Sequence, residues 1–230
     1  MKILHISDTH GFHGLMPDSR FDGIDVVTHS GDCSNWRDPY RNEPEVRNFI
    51  EWYKNVPVKH KIYVAGNHDT SIEKRMIQKS DFENAGIIYL ENDSITIDNI
   101  KFWGSPYTPT FGDWAFMKAR DKINKVWDTI PEDTDVIITH GPPKGVRDMS
   151  YDRNNNLEFC GCSALMKRCW NLKDHLKLVC FGHIHNMDGI ETNQGVSTYS
   201  KTPTIFSNGA CVWDGKFNRG LTSYGNIITI

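Results

Sequence analysis

Carboxylates and imidazoles stand just past the ends of five short apolar runs in this chain, spaced as metal ligands are. The first run, Lys2 to Ser7, leads into Asp8-Thr9-His10; the second, Asp25 to Ser30, into Gly31-Asp32; the third, Lys61 to Ala65, into Gly66-Asn67-His68-Asp69. The fourth, Asp135 to Thr139, leads into His140-Gly141, and the fifth, Lys177 to Phe181, into Gly182-His183-Ile184-His185. Asp and Asn are turn residues in their own right, so any one exit reads as an ordinary turn. Five of the ten histidines at these exits are hard to place there by turn chemistry alone. Asp8, His10, Asp32, Asn67, His140, His183 and His185 together form a nitrogen and oxygen donor set without thiolate. Such a set suits Mn, Fe, Zn or Ni and not Cu(I) or an iron–sulfur cluster. Two divalent ions there would keep residual positive charge after Asp8, Asp32 and one hydroxide, which favours a phosphate anion.

The elements that must position these residues follow from period and punctuation. The five runs are β-rich and stop abruptly at polar residues, and they alternate with loops or helices, as buried central strands of an α/β protein do. Helices are expected over 44–54, with Val46, Phe49, Ile50 and Tyr53 on one face and Asn42 as a cap; over 115–127, with Phe116, Ala119, Ile123 and Val126; and over 163–175, with Leu165, Cys169 and Leu172. Shorter turn-linked strands at Ile87–Leu90, Ser94–Asp98, Lys101–Trp103, Thr204–Ser207 and Ile227–Ile230 suggest a second sheet. Two packed sheets with helices outside fit this list, and ligands of open α/β sheets collect beyond the carboxyl ends of strands. Convergence of exits from residue 8 to residue 185 argues for a single domain over 1–230. The long loops at 104–114 and 141–160 are of a length that is commonly functional.

In their order and spacing, D-x-H, G-D, G-N-H-D, H-G and G-H-x-H resemble the calcineurin-like metallophosphoesterase superfamily. Gly104-Ser105-Pro106-Tyr107-Thr108-Pro109, Trp114-Ala115-Phe116, His140-Gly141-Pro142-Pro143 and Ser207-Asn208-Gly209-Ala210 resemble its small metallophosphoesterase-domain (MPPED-like) branch. The resemblance implies a four-layer α/β sandwich of two β-sheets flanked by helices. It further implies that Asp8, His10 and His185 hold one metal, that Asn67, His140 and His183 hold a second, and that Asp32 bridges them. By the same resemblance His68 protonates the leaving group, while a hydroxide held between ions roughly 3.5–4 Å apart attacks the phosphorus in line. Many members place an Asp three residues after the bridging one to orient that histidine. Here the position is Asn35, which leaves the role to Asp69 or to a backbone carbonyl.

Composition narrows the substrate. With 38% hydrophobic and 24% charged residues the chain is globular, and a net charge of -3 argues against a protein that neutralises many phosphates. The expected substrate is therefore a small phosphodiester, cyclic nucleotides included, with Mn as the metal expected to support activity. A phosphomonoesterase is the alternative, followed by a nuclease or a non-catalytic metal-binding scaffold; seven competent ligand positions speak against the scaffold. His13 and Asn35, beside ligand loops, and Tyr107 and Trp114, on an aromatic loop, are candidate substrate contacts. Cys160, Cys162 and Cys169 lack paired C-x2-C knuckles and read as packed thiols rather than a zinc site. The apolar run at the N-terminus is too short for a signal-peptide core, and no run reaches membrane-spanning length. Reduced cysteines and a cytoplasmic setting, with no membrane partner, are expected.

Overall fold

The computed structural model describes residues 1–151, 154–192, 203–213 and 220–230, so part of the long 141–160 loop lies outside the described residues. Two sheets dominate. In the first, β1 (Lys2–Ile6), β2 (Val26–His29), β3 (His60–Tyr63) and β4 (Ile88–Tyr89) run parallel, and β15 (Asn226–Thr229) closes the other side of β1 antiparallel. The second follows the order β13 (Gly189–Thr192), β14 (Ile205–Asn208), β12 (Leu178–Phe181), β9 (Val136–Thr139), β6 (Ile100–Ser105) and β5 (Asp93–Ile97). Its four inner strands are parallel and its two edge strands antiparallel. Two small ribbons, β7 (Thr108–Pro109) with β8 (Met117–Lys118) and β10 (Met149–Tyr151) with β11 (Leu157–Phe159), project from the loops.

Strand alternation sorts the apolar side chains into layers. Ile3, Val26, Ile62 and Val64 pack with Phe102, Val136, Ile138, Leu178 and Cys180, filling the space between the sheets. Their neighbours Leu4, Ile6, Val27 and Tyr63 join Val46, Phe49, Ile50 and Tyr53 of α1 (Pro39–Asn55) in one outer layer. On the far side Ile137, Val179, Phe181 and Trp103 join Val126 and Trp127 of α4 (Asn124–Trp127) and Leu165 and Cys169 of α5 (Ser163–Asn171). Each fully buried aliphatic or aromatic side chain contributes about 1.5–3 kcal/mol. Helices, sheet, sheet and helices are the four layers expected. Two short helices, α2 (Thr70–Glu73) and α3 (Lys79–Asn84), complete the described helices beside three 3₁₀ turns.

Three expectations change. The sheets do not divide the strands by length; the first three long runs enter one sheet and the last two enter the other. Helix α1 starts earlier than its apolar stripe, because Asp38 caps the Arg41 N–H at 3.0 Å and Pro39 occupies the first turn, which leaves Asn42 inside the helix. Residues 115–127 are helical only over Asn124–Trp127. Phe116 has φ 55°, and the main chain before it is committed elsewhere: the Ala115 N–H donates to the Asn67 carbonyl at 3.0 Å, and the Phe116 carbonyl accepts from the Thr108 N–H at 3.0 Å. Tertiary hydrogen bonds override the helical period there.

Candidate metal centre

The carboxyl ends of the two sheets are stitched together. Ser7, just past β1, donates its N–H to the Gly209 carbonyl at 2.8 Å and accepts from the Cys211 N–H at 2.9 Å, a parallel bridge to the segment leaving β14. All five motif-bearing exits therefore open onto one edge. Four of the candidate ligands leave their strands in left-handed backbone: Asp8 (φ 50°), His10 (φ 42°), Asp32 (φ 56°) and His183 (φ 68°). Non-glycine residues enter this region at a cost, and a cluster of them on one site is the kind of strain found where geometry serves function. Close approach is equally marked at Gly182, where a Cβ would collide with Asp8 Oδ2, and at Gly66, where it would collide with Asp32 Oδ1.

Six of the seven expected ligands converge by their polar atoms. His185 Nε2 lies 3.1 Å from Asp8 Oδ1 and 3.2 Å from His10 Nε2. Asp32 Oδ2 lies 4.0 Å from His10 Nε2 and 3.3 Å from His140 Nε2, and His140 Nε2 lies 2.8 Å from Asn67 Oδ1. His183 stands beside them, its ring centroid 5.0 Å from that of His140, and its N–H donates to Asp8 Oδ2 at 3.0 Å. Asp8, His10 and His185 form one ligand-like triad; Asp8, Asp32 and His140 form another; His10, Asp32 and His68 form a third.

Hydrogen bonding at the far nitrogens decides what the near ones present. His10 Nδ1 faces the Ser34 carbonyl at 3.0 Å, and His140 Nδ1 faces the Ser30 carbonyl at 3.0 Å. A carbonyl only accepts, so both Nδ1 atoms carry hydrogen and both neutral rings turn an Nε2 lone pair inward. These lone pairs meet carboxylate and amide oxygens that are also acceptors. Buried acceptors facing acceptors need a cation between them, and the nitrogen and oxygen donors here fit divalent first-row ions. Without an ion the protons redistribute. Burial works against a charge on His140, but the carboxylates of Asp32 and Asp8 and the Ser30 carbonyl outweigh it and push its pKa to about 9. Burial brings His10 down to about 4 and His183 down to about 3. Asp8 and Asp32 are opposed by burial, yet the histidines around them hold both carboxyls well below the usual range.

His68 is placed beside this centre by its main-chain N–H, which donates to Asp32 Oδ1 at 2.7 Å. Its Nδ1 donates to the Asn35 carbonyl at 3.0 Å, so of the two groups expected to orient it, Asp69 or a backbone carbonyl, the ring meets a backbone carbonyl. Asp69 is instead buried beneath the loops. It accepts from the N–H groups of Asp32 and Gly66 and from the hydroxyls of Tyr63 and Ser34. His13 turns away: it is buried against Phe49 and Trp52, with Nε2 2.9 Å from Asn48 Oδ1, because its 3₁₀ turn packs on α1. Tyr107 likewise packs into the fold beneath Lys118 and beside Phe116, away from the cleft walls. Trp114 does reach the site, with its ring 4.5 Å from that of His68.

A cleft of about 850 Å³ leads to the centre, walled by Phe111, Trp114, Tyr151, Arg37, Arg120 and His183 among others. Sequence reading missed two supports beneath the site. Asn42, buried in α1, donates to the carbonyls of Trp36 and His68 and accepts from Ser71, tying α1 to both acidic loops. His29 accepts the Gly31 N–H at Nδ1, so its Nε2 hydrogen goes to Thr9 Oγ1 at 3.0 Å. Neither has a local signature.

A buried nitrogen and oxygen ligand cluster at the joined edges of a four-layer sandwich defines a metallohydrolase-like class of site. Residues 1–187 match the family model described as calcineurin-like phosphoesterase, and the chain belongs to that family. It is 31% identical over 226 residues to human metallophosphoesterase domain-containing protein 1, covering 86% of this chain and 64% of that protein. It is 32% identical over 216 residues to UPF0046 protein C25E10.12 of Caenorhabditis elegans, covering 86% and 73%. A 32% match over 201 residues to the probable rhamnogalacturonate lyase C of Emericella nidulans covers 83% of this chain but 18% of that protein. The chain thus spans less than two thirds of some of these relatives. One solved structure shares the fold with a TM-score of 0.64 at 14% identity, over 90% of this chain and 89% of the other.

Proposed function

We propose that this chain is a metal-dependent phosphoesterase that hydrolyses small phosphodiesters. The observation that carries the reading is the pair of inward Nε2 lone pairs, on His10 and His140, facing the one carboxylate of Asp32. Asp8, His10 and His185 would hold one divalent ion and Asn67, His140 and His183 a second, with Asp32 shared. Ions bound there supply Lewis-acid polarisation of the phosphoryl oxygens and an activated water. His68 is anchored at Nδ1 by the Asn35 carbonyl, so as an imidazolium it has Nε2–H left to donate to the departing oxygen.

Charge favours a diester over the monoester alternative. A monoester carries nearly two negative charges and gains from free cations. Those at the cleft are already engaged: Arg37 with Asp113, Arg120 with the carbonyls of Cys160 and Gly161. Close by, Lys144 bonds the Phe159 carbonyl and Arg147 those of Met187, Asp188 and Ile190. The cleft, with Phe111 and Tyr151 among its walls, leaves room for an organic substituent, which supports a small substrate such as a cyclic nucleotide over a polymer. Among the described residues no helix is long and apolar enough to cross a membrane. Six free cysteines fit a reducing, cytoplasmic setting, and Mn suits the donor set.

The test is reconstitution with Mn²⁺. Two ions per chain and higher kcat/KM on bis-p-nitrophenyl phosphate than on p-nitrophenyl phosphate are expected, with Asp32→Ala losing most of both metal and rate. A monoester preference at neutral pH would make phosphomonoesterase the better reading, and a metal-loaded protein inactive on every ester would favour a scaffold.

A further inference from the structure

The loop that carries Trp114 leaves the second sheet after β6 and crosses to the loops of the first. It is docked there by main-chain bonds onto the segment that holds His68. The Ala115 N–H donates to the Asn67 carbonyl at 3.0 Å, and the Phe116 N–H donates to Glu73 Oε1, in α2, at 2.7 Å. On its other side Arg37 pairs with Asp113 Oδ2 at 3.0 Å and lies 4.9 Å from the Trp114 ring centre. The crossing loop is thus tied to Arg37, two residues beyond the Asn35 carbonyl that holds the His68 ring, and to residues 67–73, the segment that carries His68 itself.

His68 itself has one ring hydrogen bond fixing it, from Nδ1 to the Asn35 carbonyl. A single such bond sets the tautomer but leaves the imidazole free to swing about the bond axis, and swinging carries Nε2 away from the reacting oxygen. Packing must remove that freedom. The ring is contacted by His10, edge to face at 82° and 4.8 Å between centroids, and by Trp114, tilted 33° at 4.5 Å. His10 is itself held through Nδ1 by Ser34, so Trp114 is the contact that the crossing loop contributes.

Resting on the reading of His68 as proton donor, we propose that Trp114 is a positioning residue that holds the His68 ring in its productive orientation. The aromatic side chain does this by area and flatness, so Phe should substitute better than Ala. A misplacement of about 1 Å at a catalytic group can cost on the order of 10²-fold in rate. The loss should fall where the proton matters, on poor leaving groups, since p-nitrophenolate departs without one.

The experiment compares Trp114→Ala, Trp114→Phe, His68→Ala and Trp114→Ala/His68→Ala on matched diesters, one with a p-nitrophenolate and one with an alkoxide leaving group. Metal content is measured for each variant, and histidine ring protons are followed by NMR in the metal-free protein. Expected are full metal content, a roughly 10²-fold loss in kcat for Trp114→Ala confined to the alkoxide substrate, partial rescue by Phe, and no further loss in the double variant over His68→Ala. The upfield ring-current shift of the His68 protons should vanish in Trp114→Ala and persist in Trp114→Phe. A loss that is equal for both leaving groups, or seen in KM alone, would overturn the proposal and make Trp114 a substrate contact. If His68→Ala shows no leaving-group dependence, the proton-donor reading falls, and this proposal with it. If His68→Ala shows it and Trp114→Ala does not, the proposal alone falls.

Discussion

Asp69 is the residue on which both acidic loops hang. Oδ2 accepts from the Asp32 N–H at 3.0 Å, the Gly66 N–H at 2.7 Å and the Tyr63 hydroxyl at 2.6 Å; Oδ1 accepts from the Ser34 hydroxyl at 2.7 Å. Burial and the nearby Asp32 carboxylate raise its pKa, while these donors act to lower it. The side chain never touches the ligand cluster directly, yet it fixes the backbone that carries Asp32 and Asn67. Asp69→Asn keeps the shape and replaces one acceptor oxygen by an amide group that faces donors. Leaving two or more buried donors unmatched should cost about 2–3 kcal/mol, read as a lower urea midpoint, with weaker metal retention in the folded fraction. An unchanged midpoint would mean that the surrounding donors find other acceptors and that Asp69 is dispensable to the loops.

At the scale of elements, the same distinction separates what could be read in advance from what could not. The strands that deliver ligands were legible because each is a short apolar run ended by its own ligand, so signal and consequence share one stretch of sequence. The helical stripes of α1 and α5 were legible for the same reason. The first part of the helix expected over 115–127 was not, because its apolar period matches a helix while its backbone bonds go outside the segment, to Asn67 and Thr108. Short β7, β8, β10 and β11 carry too few residues for a period, and Asn42 reads as a cap until Asp38 is seen capping. Helix α5 shows how independent the outer layers are of the site. Leu165 is fully buried against Trp127, Val179 and Phe206 on the far face of the second sheet. Leu165→Ala should therefore cost about 3 kcal/mol in unfolding free energy while leaving the metal content of the folded protein unchanged. Loss of metal at full stability would show that the outer layer sets the ligand geometry.

Across the whole molecule, the packed layers enclose imidazoles that water cannot reach, His5 between the sheets and His29 between the first sheet and α1, and this makes folding sensitive to acid. His5 lies between the sheets, its Nδ1 2.7 Å from Ser207 Oγ and its Nε2 2.9 Å from Ser30 Oγ, a bridge from β14 to the end of β2. Burial brings its pKa down from 6.5 to about 3, only partly opposed by the charge of Asp8. His29 is brought to about 3 in the same way, and its accepted bond from Gly31 requires the neutral ring. A folded pKa below the unfolded one means that the unfolded chain binds the extra proton. The associated stability is complete above about pH 6.5 and is lost as pH falls from there toward about 3. His140 has the opposite sign in the metal-free protein: its pKa of about 9 gives stability that is present below 6.5 and is lost as pH rises through 9. The two kinds act in different windows, so a non-ligand histidine isolates the acid limb. His5→Gln retains polar atoms for both serines and removes one titrating group. Between about pH 7 and about pH 5 a single such group accounts for about 2 kcal/mol, so metal-free wild type should lose about that much more unfolding free energy than His5→Gln over this interval. Parallel losses in the two proteins would mean that His5 is protonated in the fold or exchanges with water, and that the space between the sheets is not closed around it.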